Sequence, residues 1–189
     1  MSTQKVKLGA RAIRLRLGIA LVAASLSACV STHPAAAPDV PAALHAPAGQ
    51  RVAVRLQGEG EQIYSCRAAA PDVGGFAWVF TAPKAELRDV TGKVVGRHYG
   101  GPTWEATDGS KVLGTVVAQD AAPDPQAIAW LLLRATSNSG TGMFANVTSI
   151  QRIHTKGGKP PTQACGAAQL NQQIGTAYTA EYVFYVAAS

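Results

Sequence analysis

The sequence predicts an all-β fold, a single antiparallel β-sandwich or barrel-like domain with one short helix near Cys165. Three observations carry this. Short runs rich in β-branched and aromatic residues recur from Arg51 to the end of the chain. Turn-forming clusters divide them: GEGE, TGK, TDGSK, SNSGTG and TKGGKPP. The 3 Trp, 5 Tyr and 4 Phe all lie after Arg51, which places the packed core there.

Residues 1–28 read as an export leader rather than as part of the fold. Lys5, Lys7, Arg11, Arg14 and Arg16 form a basic start, and LGIALVAASL (Leu17 to Leu26) is an apolar run. A spanning helix needs about 20 apolar residues, so this run is too short to stay in a membrane. LSAC (Leu26 to Cys29) follows and resembles the bacterial lipobox. The resemblance implies cleavage before Cys29 and lipidation of its thiol. Acyl chains hold firmly, because each buried methylene contributes about 0.8 kcal/mol. Val30 in place of an aspartate resembles outer-membrane sorting. The expected partner is therefore the membrane, reached through an N-terminal lipid anchor, with the domain facing the periplasm.

The leader also changes the charge argument. The whole chain has a net charge of +6, but five of its 17 basic residues precede Cys29, leaving 12 against 11 acids. The remaining Lys and Arg are scattered, so no nucleic-acid partner is expected.

Residues 29–50 are rich in Ala and Pro, lack a periodic apolar face, and read as a tether. His33 and His45 within it are expected to be solvated. Residues 51–189 form one domain, too short for two ordinary cores. Cys66 and Cys165 are an even pair in an exported chain and read as a disulfide, the alternative being two buried thiols.

Within the domain, RVAVRLQ alternates, with Val52, Val54 and Leu56 on one face. EQIYSCR puts Gln62, Tyr64 and Cys66 opposite Ile63 and Ser65. Asp108-Gly109 marks a hairpin whose central residues take positive φ. AAPDVGGFAWVF and AAPDPQAIAWLL share six of twelve positions without gaps. This is either a duplicated unit, with Trp78 and Trp130 in related places, or chance in an Ala-rich chain. ACGAAQLNQQIG is the one stretch that reads as helical.

No Rossmann, Walker A, H-E-x-x-H or G-x-S-x-G motif is present, so neither a cofactor nor a metal is expected. The stretch RHYGGPTWEATDGSKVLG (Arg97 to Gly114) concentrates the remaining chemistry. His98, Glu105 and Asp108 offer acid–base or hydrogen-bonding groups, and Tyr99 and Trp104 an aromatic wall. Its structural reading is two strands and a hairpin, with Trp104 in the core and Glu105 outside. In SIQRIHT, alternation places Arg152 and His154 together, either as a solvated face or as the basic lip of the same pocket.

The ordered set QIYSC, WVF, VGRHYGGPTWEATDGSKV, IAWLLLRA and GMFANVTSIQRIHTKGGKPP resembles the domain of unknown function 3455 family over nearly all of the domain. The resemblance implies an exported protein and supplies no established activity. It carries over Tyr64, Cys66, Trp78, His98, Gly101, Pro102, Trp104, Glu105, Asp108, Gly109, Trp130, Gln151, Arg152, Thr155, Gly157, Gly158 and Cys165 as family pattern only. The expected role is a binding or structural module at the envelope, with a small-molecule, glycan or protein ligand. The alternative is an envelope hydrolase using His98 with Glu105 or Asp108.

Overall fold

The computed structural model describes residues 1–3, 36–69 and 74–188. The leader run, Cys29, Val30 and His33 lie outside the described residues. Among the described residues, no helix is long and apolar enough to cross a membrane.

Eight antiparallel strands form one sheet that closes on itself as an irregular barrel. They are β1 (Gln50–Ala68), β2 (Phe76–Arg88), β3 (Val94–Tyr99), β4 (Thr103–Ala106), β5 (Lys111–Asp120), β6 (Trp130–Ser139), β7 (Ser149–Gly157) and β8 (Gln173–Ala187). Each pairs with the next in the chain, and β8 returns to β1 from Gln50↔Ala187 to Ser65↔Gln173. Closure gives the long strands partners on both sides, which removes sticky edges.

The GEGE segment is not a turn. β1 runs through it for 19 residues. Glycine is needed there for close approach: a Cβ on Gly58 would lie 2.5 Å from the Tyr182 ring. The helix expected near Cys165 is also absent; only a 3-10 turn forms, at Ala167–Gln169. The disulfide joins Cys165 to Cys66, with Cα atoms 5.6 Å apart. Asn171 N–H donates to Cys66 O, and Cys66 N–H to Gln172 O. These bonds draw the segment into the β1 ladder before a second helical turn can close.

Alternation along the strands makes two cores. Leu56, Leu87, Trp104, Val112, Leu133, Ile150, Tyr182 and Phe184 point into the barrel. Val52, Trp130, Leu132, Ile153, Val183 and Tyr185 form a second cluster on the outer face, and Val40 and Leu44 cover it. Leu44 is fully buried, and its carbonyl accepts from Gln151 Nε2 at 2.6 Å. The packed chain therefore starts ahead of Arg51, inside the stretch read as a tether. His45 stays exposed, with its Nε2 3.1 Å from Val40 O.

Bulges move side chains between these faces. A register shift between Val52 and Val54 sends Val52 outward and Leu56 inward, so they do not share the face that simple alternation assigns. Trp78 pairs with Cys66 and joins neither cluster, and its Nε1 donates to Gln163 O at 2.9 Å. Trp130 belongs to the outer cluster. The two tryptophans are not equivalent; residues 70–73 of the first copy of the echo lie outside the described residues.

Candidate functional site

The two ends of the barrel interior differ. One end is filled by Phe144, Phe184, Ile150, Val112 and Leu87. The other holds a cavity of about 130 Å³ lined by Gln62, Phe80, His98, Trp104, Val116, Leu131, Arg152 and Tyr182, with Thr81, Pro83, Gly101, Pro102 and Leu133 completing it. A cavity of about 150 Å³ holds a benzene ring.

The access route follows from strand length. β3 and β4 are the shortest strands, with 6 and 4 residues. The β2–β3 ladder begins only at Ala85↔His98, and the β4–β5 ladder ends at Thr103↔Leu113. Beyond them, the wall between β2 and β5 consists of the Gly100–Pro102 turn. Phe80 and Val116 stand on either side of this gap, 49% and 47% exposed, so the cavity reaches the surface between them. Gly101 turns the hairpin with φ +98°, a conformation that favours glycine.

Arg152 is the cavity's cation. Its register partners, Leu131 and Tyr182, lie on the same face. Nε and Nη2 both donate to Ala129 O, at 3.2 and 2.8 Å. Burial pulls its pKa down, and the nearby groups that act on it are the phenols of Tyr182, Tyr178 and Tyr64 rather than a carboxylate. A guanidinium remains charged in proteins even so. Tyr182 is fully buried, which keeps its hydroxyl protonated, 3.1 Å from that of Tyr178.

His98 lies flat against Trp104, with ring centroids 4.4 Å apart and an interplanar angle of 9°. Its Nδ1 is 2.8 Å from Thr103 O, so Nδ1 carries the proton and donates. Burial, with a smaller contribution from the Arg152 charge, pushes its pKa down to about 3, and the ring is neutral at ordinary pH. Trp104 Nε1 is a buried donor with no acceptor among the described residues, whereas the Gln62 amide acts on the Tyr178 hydroxyl beside it and draws its pKa down.

Of the seven candidate ligand-binding residues, three meet here: His98, Trp104 and Arg152. The others do not. Glu105 sits on the outer face, accepting from Arg97 Nη2 and the Tyr99 hydroxyl, both at 2.8 Å. Hydrogen bonds from Arg97 and Tyr99 hold its carboxyl below the usual range. Asp108 is a turn residue that accepts from Ser110 N and Oγ and from Met143 N, at 2.8, 2.6 and 2.8 Å. Four residues join β4 to β5, with positive φ at Gly109 alone, not at both Asp108 and Gly109.

His154 is separated from Arg152 by an irregularity. The β7–β8 register shifts between Ile153 and Lys156, and His154 takes φ +48°. Its ring moves to the outer surface, where Nδ1 donates to Glu181 at 2.8 Å and the edge meets Trp130. The two residues therefore do not form one basic lip. The acid–base set of His98 with Glu105 or Asp108 does not assemble either: Glu105 is on the other face of the sheet, and Asp108 is held in the turn by Ser110 and Met143. Among the described residues, no group of three or more His, Cys, Asp or Glu side chains is placed to hold a metal ion.

Residues 47–186 match the family model described as "Protein of unknown function (DUF3455)". The chain belongs to the DUF3455 family. No curated protein and no solved structure matches it. In this DUF3455 domain, Gln62, Tyr178 and Tyr182 join the interior without having been singled out as site residues. Their signal was present in the alternation: Gln62 shares a face with Tyr64 and Cys66, and Tyr178, Ala180, Tyr182 and Phe184 fall at every second position of β8.

Proposed function

We propose that this protein is a lipid-anchored binding module of the bacterial envelope that takes one ring-sized apolar group of a small ligand into its barrel. The observation that carries the reading is the cavity behind Phe80 and Val116, with Trp104, His98, Leu131 and Tyr182 as its walls. Apolar walls with a few fixed polar groups are the usual make-up of a small-molecule site. A catalytic reading has less support. A general base works best with a pKa near the operating pH, and His98 at about 3 is far below it. The envelope location rests on the basic leader, the short apolar run and LSAC ending at Cys29.

The binding reading is tested on the full-length protein by titrating benzyl alcohol and following the tryptophan indole N–H resonances. Trp104 should shift and saturate while Trp130, on the outer face, stays in place. Leu131→Phe fills the cavity and should abolish the shift in a protein that remains folded. An unmoved Trp104, or a shift that survives Leu131→Phe, would remove the reading. The anchor is tested by palmitate labelling in a bacterial host, where Cys29→Ser should lose the label and leave the membrane fraction.

A further inference from the structure

We infer that the ligand is a small carboxylic acid, bound with its carboxylate on Arg152 and its apolar body toward the gap between Phe80 and Val116. This rests on the cavity being the binding site, and adds the class of molecule it selects. The first support is charge. Burying an ion is costly unless it is paired. Arg152 is partly buried, yet both of its hydrogen bonds go to one neutral carbonyl, Ala129 O. No carboxylate is among the groups that perturb it. All six ion pairs among the described residues involve other residues. Nη1 has no acceptor among the described residues.

The second support is independent of charge. Trp104, in the cavity wall, carries a buried donor, Nε1, that has no acceptor among the described residues. A ligand that offers only donors would leave it unpaired; a carboxylate brings several acceptor sites and no donor. The walls then choose among anions. Phe80, Leu131, Trp104 and Val116 would strip a hydrated inorganic anion of water without replacing it, whereas they suit an aromatic ring or a short alkyl chain. About 130 Å³ accommodates one such body, and a longer chain can leave through the gap.

The test is calorimetric titration of the full-length protein at neutral pH with benzoate, benzamide and inorganic phosphate. Benzoate should bind about tenfold or more tighter than benzamide, the margin expected of a charge-assisted hydrogen bond over a neutral one. Phosphate should not compete. Arg152→Met should bring benzoate down to the affinity of benzamide while leaving benzamide unchanged; Arg152→Gln serves as a second variant if the first misfolds. Equal affinity for acid and amide in the wild-type protein would overturn the carboxylate assignment and leave the cavity reading intact. Phosphate competing as well as benzoate would overturn the organic-acid class. Binding of neither ring compound would remove the cavity reading and this inference together.

Discussion

The two ends of the barrel interior are built from the same strands and do opposite things. At the filled end, Phe144 and Phe184 lie 4.6 Å apart within one apolar cluster. At the hollow end, inward positions of the same strands carry Gln62, His98, Arg152 and Tyr182 around open space. β7 shows the change most directly: Ile150 faces Phe184, and two residues on, Arg152 faces Tyr182. The filled end supplies the packing that holds the hollow end open. Binding sites are commonly less stable than a packed interior would be.

The largest effect that sharpens this contrast is expected at the filled end. Phe184→Ala removes a fully buried ring and should cost about 3–5 kcal/mol, read by urea unfolding. A loss below about 1 kcal/mol would mean that the filled end is not the main core.

The next effect comes from His98. Its folded pKa is about 3 against 6.5 for an ordinary histidine, so the unfolded chain binds the extra proton between these values. Stability is then full above pH 6.5 and falls as pH drops, by up to about 1.4 kcal/mol per unit. Glu105 and Asp108 have lowered values, so their losses come below the usual carboxylate range. His98→Phe should therefore flatten the stability curve between about pH 6 and 5. An unchanged curve would mean that the ring is not buried in the neutral form.

Arg152→Met should act in the other direction. Replacing a partly buried charge that has no counter-ion by an apolar chain of similar reach leaves stability unchanged or raises it by about 1 kcal/mol. A strongly destabilised variant would make Arg152 a structural residue, and the contrast between the two ends would vanish. The smallest effect is on the outer face. Glu105→Gln weakens contacts made in solvent and should melt within error of the wild type.

Much of the fold was legible in the chain. Period-two patterns with Gly, Asp and Asn between them specify strands, because only residues on one side of a pleat share a face. The same patterns grouped Gln62 with Tyr64 and Cys66. What misled was local likeness. GEGE has the composition of a turn, but Gly58 and Gly60 stand where neighbouring groups come too close for a side chain. The alternation of SIQRIHT placed Arg152 and His154 together, and the backbone at His154 then turned its ring to the other face.

The candidate site was half legible for the same reason. RHYGGPTWEATDGSKVLG does reach the cavity, but through His98 and Trp104 alone; Tyr99 and Glu105 project the other way, and Asp108 serves the turn. A strand read by itself has two faces and no way to say which is enclosed.

By itself, then, the sequence determined the strand periods, the Cys66–Cys165 pair and the membership of one family, all of which depend on local pattern or residue identity. Tertiary structure alone decided that the sheet closes, that short β3 and β4 leave a gap in its wall, and that Gln62, His98 and Arg152 from three separate strands meet in one cavity. Those outcomes depend on the register between distant strands, and register is set by bulges and by which side chains fit inside, not by any one stretch of chain.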